Sequence, residues 1–186
     1  GGSCQRAAAR YNPPDLRKRG RMSTLDFIIR PAEAADRDFM FGLAPRLAGV
    51  AALPWHAESD LVAFQHRYMA LSFALPQDDI VTLIAESDAG AQLGFVHAEA
   101  AKDSVTLEPC AYVTVLALTE AAEGHGVAQR LMLGVEDWAR GKGFRLIGLD
   151  VFANNRRARA FYRRMGYAED SLRLTKPLQQ GPKEIA

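Results

Sequence analysis

Apolar and polar positions follow two different spacings along the chain, and these divide it into strands and helices. Residues 27–30, Phe-Ile-Ile-Arg, are a short apolar run stopped by Pro31, which predicts an edge strand, and Asp36 and its neighbours then open a helix towards Leu47. Residues 49–56 read as a loop. Ser59 suits the N-cap of a second helix carrying Leu61, Phe64, Tyr68 and Leu71 at helical spacing, and that helix should end before Pro76. Two strand-like runs, 80–86 and 93–100, flank Ser87-Asp88-Ala89-Gly90 and predict a hairpin. Residues 112–119, Tyr-Val-Thr-Val-Leu-Ala-Leu-Thr, are too continuously apolar to be half-exposed and predict a central strand. A helix from Val127 buries a stripe of Leu131, Val135 and Trp138 and ends at Gly141 and Gly143. A strand over 146–151, a helix after Asn155 and a last strand over 172–177 complete the pattern.

Strands and helices mixed over this length predict one α/β domain, spanning residues 22–180, and 48% hydrophobic content in 186 residues is enough to bury a core. Residues 1–21 have no apolar periodicity and carry Asn12-Pro13-Pro14 and Arg17-Lys18-Arg19. They are expected to be a disordered tail or leader, with Met22 as a start, and residues 181–186 are expected to be a second tail. The first 21 residues also alter the meaning of the charge. The chain has a formal net charge of +1, but the first 21 residues hold six of its 23 Lys+Arg and one of its 22 Asp+Glu, so the body is acidic. The +1 is therefore no nucleic-acid footprint, and no aromatic platform accompanies the arginines near residue 160. No apolar run approaches the roughly 20 residues of a membrane-spanning helix, so no membrane partner and a cytoplasmic location are expected. The two cysteines, Cys4 and Cys110, make neither a disulfide framework nor a Cys-rich metal site. His56, His66, His97 and His125 lack a paired ligand spacing, so no metal is expected.

Candidate chemistry concentrates between Tyr112 and Tyr167. After the central strand, Gly124, Gly126 and Ala128 allow a tight turn that brings backbone N–H groups close to a ligand, just where a helix starting near Val127 leaves its first amides unpaired. Such a helix start attracts phosphate. Farther on, Asn155 suits a helix N-cap and stands seven residues before Tyr162. A dinucleotide site fits less well, because Gly124-x-Gly126 lacks the third glycine of GxGxxG and has Gln129 in its place.

This layout resembles the GNAT superfamily of acetyl-CoA-dependent N-acetyltransferases. The family's loop pattern, Gln/Arg-x-x-Gly-x-Gly/Ala after a strand ending Leu-x-Val, is matched by Glu123-Gly124-His125-Gly126-Val127-Ala128 after Leu116-Ala117-Leu118. Its second signature, Asn-x-x-Ala-x-x-x-Tyr-x-x-x-Gly-Phe/Tyr, is matched by Asn155, Ala158, Tyr162, Gly166 and Tyr167. One departure is plain: Glu123 stands where the family has Gln or Arg, and it should point to solvent or pair with an arginine of the helix after Asn155. The resemblance implies a central mixed, mostly antiparallel twisted sheet of six to seven strands flanked by about four helices, with a splayed pair of parallel strands holding acetyl-CoA. It also implies the cofactor contacts. Backbone groups of Leu116 and Leu118 would face the pantetheine arm and thioester, and the amides of Gly124, His125, Gly126, Val127, Ala128 and Gln129 would hold the pyrophosphate. Asn155 and Ala158 would sit beside the pantetheine.

Acetyl transfer to an amine needs a held cofactor, a neutral amine and a proton for the departing thiolate. By resemblance, Tyr162 gives that proton. Some family members place a glutamate on the central strand where this chain has Tyr112, so the base candidates here are Glu108, just before that strand, and Glu99, on the preceding one. Trp55 and His56 lie in the loop that shapes the acceptor pocket in the family. The expected activity is transfer of acetyl from acetyl-CoA to a primary amine of a small molecule or protein, and the alternative is a CoA-binding sensor or interaction module. An exposed edge at the last strand predicts a homodimer.

Overall fold

The computed structural model describes residues 25–50, 53, 55–72 and 77–178; the expected tails at 1–21 and 181–186 lie outside the described residues. The order is β1 (Phe27–Pro31), α1 (Arg37–Gly42), α2 (Ala44–Gly49), α3 (Glu58–Ser72), β2 (Ile80–Ser87), β3 (Gln92–Lys102), β4 (Pro109–Leu118), α4 (Val127–Gly141), β5 (Ile147–Leu149) and α5 (Arg156–Arg164). The five strands form one sheet in the order β1-β2-β3-β4-β5. The first three pairings are antiparallel and the last is parallel, so the expected mixed, mostly antiparallel sheet is present.

Several element boundaries differ from expectation for local reasons. The single helix expected from Asp36 to Leu47 is two, because Pro45 has no N–H for an interior hydrogen bond but suits the first turn of a new helix. The next helix begins at Glu58, one residue before the expected cap Ser59, and places Glu58 and Asp60 in its first turn where the helix dipole favours carboxylates. Among the described residues the sheet has five strands rather than six to seven. The last strand expected over 172–177 is not formed; Leu172 and Leu174 are 72% and 91% exposed. A strand needs a partner and a layer to bury one face against, and β5, at three residues, offers a very short edge.

Two apolar layers cover the sheet. On one face α4 packs Val127, Leu131, Val135 and Trp138 onto Leu83, Val96 and Val113, while Phe161 and Tyr162 of α5 join the margin of the same core. On the other face α1, α2 and α3 contribute Met40, Ala44 and Met69 against Ile84, Phe95, Val115 and Ala117. β4 therefore turns odd-numbered residues to both faces: Ala111 and Val113 to the α4 side, Val115 and Ala117 to the opposite one. A β-bulge causes the switch. His97 pairs with Val115 and Ala98 with Val113, which leaves Thr114 as the extra residue and reverses the pleat beyond it.

A buried carboxylate locks the start of the domain. Asp36 is 2% exposed and receives two hydrogen bonds from the Arg30 guanidinium, at 2.7 and 2.8 Å, one from the Glu33 amide and one from Gln92. Arg30 also reaches Glu86, tying β1 to β2. The Arg30 hydrogen bond outweighs the desolvation of Asp36 and lowers its pKa from 3.8 to about 2. A depressed carboxylate pKa gives stability that is present above the unfolded value and lost as pH falls through the folded one. The shift corresponds to about 2 kcal/mol. Urea unfolding of Asp36→Asn is expected to show a deficit of that order at pH 7, shrinking between about pH 4 and pH 2. A deficit independent of pH across that window would mean that charge is not what Asp36 contributes.

Candidate functional site

The site is a gap in the sheet. β5 pairs with β4 only at Ala111, Tyr112 and Val113, so β4 runs on alone from Thr114 to Leu118 along that edge. The divergence coincides with the Thr114 bulge, and the bulge also sets which backbone groups enter the gap. Before it, the Ala111 amide donates to Leu146 across the β5 edge. After it, the Thr119 amide donates to Leu93 of β3, so by strand alternation Leu116 and Leu118 turn their N–H and C=O groups towards the side β5 has left. The Leu118 carbonyl accepts a hydrogen bond there from Arg46 Nε of α2 at 3.1 Å. Gly94 lets β3 lie close beneath this end, since a Cβ on it would sit 2.6 Å from the Ala117 carbonyl oxygen.

At the end of β4 the chain makes a short 3-10 turn and enters the glycine loop. Gly124 and Gly126 have φ of +81° and +77°, a region L side chains avoid, and space is open where their Cβ atoms would stand. Gly126 is the N-cap of α4 and has no capping side chain; the first helical bond runs from Arg130 to Gly126. The amides of Val127, Ala128 and Gln129 thus have no acceptor within their helix, and no carboxylate occupies its first turn. A loop open at both glycines and leading to amides without a helical acceptor at the positive end of a four-turn helix is a cradle for phosphate, so these residues fit the diphosphate of a CoA molecule.

The second motif faces the first. Asn155 caps α5, its Oδ1 accepting from the Ala158 amide at 3.0 Å. One turn beyond Ala158, Tyr162 packs edge-on against Phe161 and Tyr167 and joins the same α4-side core as Leu116 and Leu118. Burial alone pushes its phenol up to about 12. Glu123 joins the motifs in space: its carboxylate takes hydrogen bonds from Arg157 of α5 and Arg46 of α2, and Arg157 chiefly holds its pKa below the usual carboxylate value. The family's polar loop position is therefore filled here by an acid clamped between two guanidinium groups.

On the opposite face of the sheet, beside the gap, lies a polar cluster. Glu99 of β3 is the direct partner of Tyr112 on β4, and Tyr112 is the partner of Gly148 on β5. Asp150 follows two residues after Gly148 at the open end of β5, and Tyr68 of α3 covers the group. Burial, and after it the neighbouring Asp150 carboxylate and Tyr68, hold the Tyr112 phenol far above its ordinary value; burial and the Glu99 charge raise Tyr68. Glu108 is elsewhere. It precedes β4 at the end remote from Leu118 and is ion-paired with Arg145 at 2.9 Å, an exposed pair away from the gap. Of the two candidate bases, only Glu99 lies in this cluster. Trp55 and His56 are exposed in the α2–α3 connection, and His56 lines a cleft with Gly49, Leu53 and Leu61.

Arg46, Tyr68 and Asp150 carried no functional signal in the sequence, since each belongs to a segment that approaches the gap only through the fold. Among the described residues no group of three His, Cys, Asp or Glu side chains is placed to hold a metal ion, and no helix is long and apolar enough to cross a membrane.

Residues 49–167 match the Acetyltransferase (GNAT) family. The uncharacterised N-acetyltransferase YdgE of Bacillus subtilis (strain 168) is 33% identical over 92 residues, which are 50% of this chain and 57% of that protein. Among solved structures, a putative acetyl transferase from Pyrococcus furiosus superposes with a TM-score of 0.69 at 20% identity, covering 82% of this chain and 99% of that one. The aminoglycoside N-acetyltransferase AAC(6')-Iy, solved in complex with CoA, does so with a TM-score of 0.59 at 21% identity, covering 82% and 95%. At these identities the structural likeness concerns the fold.

Proposed function

The chain belongs to the acetyltransferase (GNAT) family, and from that premise we propose that it transfers an acetyl group from acetyl-CoA to a primary amine by direct attack within a ternary complex. The observation that carries this is the β4–β5 gap, with the backbone of Leu116 and Leu118 turned into it and the glycine loop and α4 amides at its end. Acetyl-CoA supplies the activated thioester. The Gly124–Gly126 loop and the α4 amides hold the diphosphate. The backbone N–H of Leu116 or Leu118 polarises the thioester carbonyl, an interaction that strengthens as negative charge develops on oxygen. Asn155 and Ala158 flank the pantetheine arm, and Tyr162 donates a hydrogen bond to the departing sulfur.

The acceptor enters from the Tyr68–Tyr112 face. Glu99 and Asp150 give that face negative charge, which favours a cationic amine, and Glu99 draws a proton from the ammonium through water so that neutral nitrogen can attack. The acceptor class is an amine of a protein or of a small molecule, the latter being the kind of acceptor that the aminoglycoside N-acetyltransferase AAC(6')-Iy is named for. A cytoplasmic location and a homodimer joined through the exposed leucines after α5 complete the proposal.

A second function is favoured by Tyr112. A phenol with its acidity suppressed by burial, at the strand position where some family members carry a glutamate, suits a CoA-binding sensor that has lost transfer. Calorimetric titration of acetyl-CoA, with NAD as comparison, followed by an amine panel with thiol release as readout, separates these outcomes. Binding with turnover is expected. Binding without turnover on any amine would establish the sensor, and absence of CoA binding would sink both.

A further inference from the structure

The electrostatics of α5 are wrong for an isolated helix. Its first turns carry Arg156, Arg157 and Arg159 and no carboxylate, although the positive end of the helix dipole favours anions and disfavours cations. Asn155 already satisfies the capping requirement, so the arginines do not serve the cap. Two of them have local anions: Arg159 pairs with Glu169 at 2.6 Å, and Arg157 pairs with Glu123, which it shares with Arg46. The Arg157 pair spans 34 positions in sequence and sets the guanidinium beside the residue that precedes Gly124. Arg157 commits one guanidinium nitrogen, Nη1, to Glu123, and the rest of the side chain is exposed.

We propose that Arg157 is the cation that contacts the cofactor's diphosphate, replacing in space the Gln or Arg that the loop lacks in sequence, with Glu123 as the positioning residue that aims it across the glycine loop. The inference rests on the CoA-binding function proposed above. A fork-shaped guanidinium has donors for two anions at once, so it can keep the Glu123 carboxylate and donate to phosphate oxygens from its remaining N–H groups. Arg46 supplies the second positive charge that offsets Glu123 near a diphosphate, and its other bond, to the Leu118 carbonyl, fixes it at the mouth of the gap. Arg46, Glu123 and Arg157 together carry one net positive charge next to a cradle of amides, and the solvent-exposed Glu120 carboxylate lies 3.9 Å from Arg46. An acidic residue at this loop position is thereby compatible with a polyanionic ligand.

The test is calorimetric binding by the full-length protein, with CoA, 3'-dephospho-CoA and pantetheine as titrants, on wild type, Arg157→Gln and the double variant Glu123→Arg/Arg157→Gln. Arg157→Gln is expected to weaken CoA and 3'-dephospho-CoA alike by about tenfold or more, to leave pantetheine binding unchanged, and to flatten the salt dependence of CoA binding. The double variant restores the guanidinium to the loop and is expected to recover most of the lost affinity. Thermal melts of each variant identify misfolded protein, for which the charge-conserving Arg157→Lys takes the place of the glutamine variant and is expected to lose less affinity. Wild-type CoA affinity in a folded Arg157→Gln protein would overturn the proposal, as would a loss confined to CoA and absent for 3'-dephospho-CoA, which would move the contact to the 3'-phosphate. Failure of the wild type to bind CoA is a different result and refutes the cofactor itself.

Discussion

Valine at position 126 is expected to reduce CoA binding by at least about 100-fold while leaving the protein folded. Two separate effects converge on this position. Gly126 has φ of +77°, so any L side chain meets backbone strain of about 1–2 kcal/mol, more for a β-branched one. The space where its Cβ would stand is empty of protein, so the new side chain would collide with no core atom. It would fill the phosphate cradle instead, and the strain would turn the α4 amides away from their common focus. Stability therefore loses only the strain, a fall in Tm of a few degrees for a domain of this size, whereas binding loses several hydrogen bonds to charged oxygens. Gly126→Ala shares the strain with a smaller obstruction and is expected to fall between. The measurement is calorimetric CoA affinity beside a thermal melt. A valine variant that binds CoA as tightly as wild type would show that the phosphates lie elsewhere, whereas one that unfolds outright would show that the glycine serves stability first.

The parts of this site that the sequence displays are those whose chemistry depends on local backbone. Gly124 and Gly126 announce positive φ because no other residue adopts it cheaply, and Asn155 announces a helix start because its side chain reaches an amide three residues on. The apolar stripe of α4 at Leu131, Val135 and Trp138 is legible for the same reason, since one face of a single helix must be covered. What is hidden depends on contacts between distant segments. The bulge at Thr114 left no trace because β4 is apolar on both faces, so a reversal of its pleat exchanges one hydrophobic residue for another. Yet that reversal turns the Leu116 and Leu118 backbone into the gap. Arg46 reads as an ordinary surface helix residue until the fold brings it to Leu118 and Glu123, 72 and 77 positions away. Asp150 falls inside the strand expected over 146–151 but just beyond the observed β5, which is half that length, and Glu108, a candidate by proximity in sequence, lies at the other end of β4.

Phenylalanine at position 162 is expected to lower kcat by on the order of 10²-fold, with the Kd for acetyl-CoA within about twofold of wild type. The ring would remain, so the packing of Tyr162 against Phe161 and Tyr167 and its place beside the α4-side core would be kept. Only the hydroxyl would go. Its pKa, raised by burial to about 12, decides how it acts. A thiol near 8.5 is more acidic than this phenol by about three units, so complete proton transfer to a free thiolate would be uphill by roughly 4–5 kcal/mol. On the proposed mechanism Tyr162 would therefore serve as a hydrogen-bond donor to sulfur as the C–S bond lengthens, stabilising charge in the transition state, and the proton that finally rests on sulfur would come from the amine nitrogen, which attacks as the neutral form and becomes positively charged as the C–N bond forms. This assignment has a pH signature. A phenol that titrates near 12 stays protonated through the working range, so kcat should show no fall with rising pH below about pH 11 that Tyr162→Phe removes. The acidic limb, set by loss of the acceptor's neutral form, should be the same in both proteins. If wild type showed a basic limb at about pH 9 that vanished in the phenylalanine variant, Tyr162 would be titrating as a true general acid against its buried environment. Equal kcat in the two proteins would remove Tyr162 from the chemistry and leave it a packing residue.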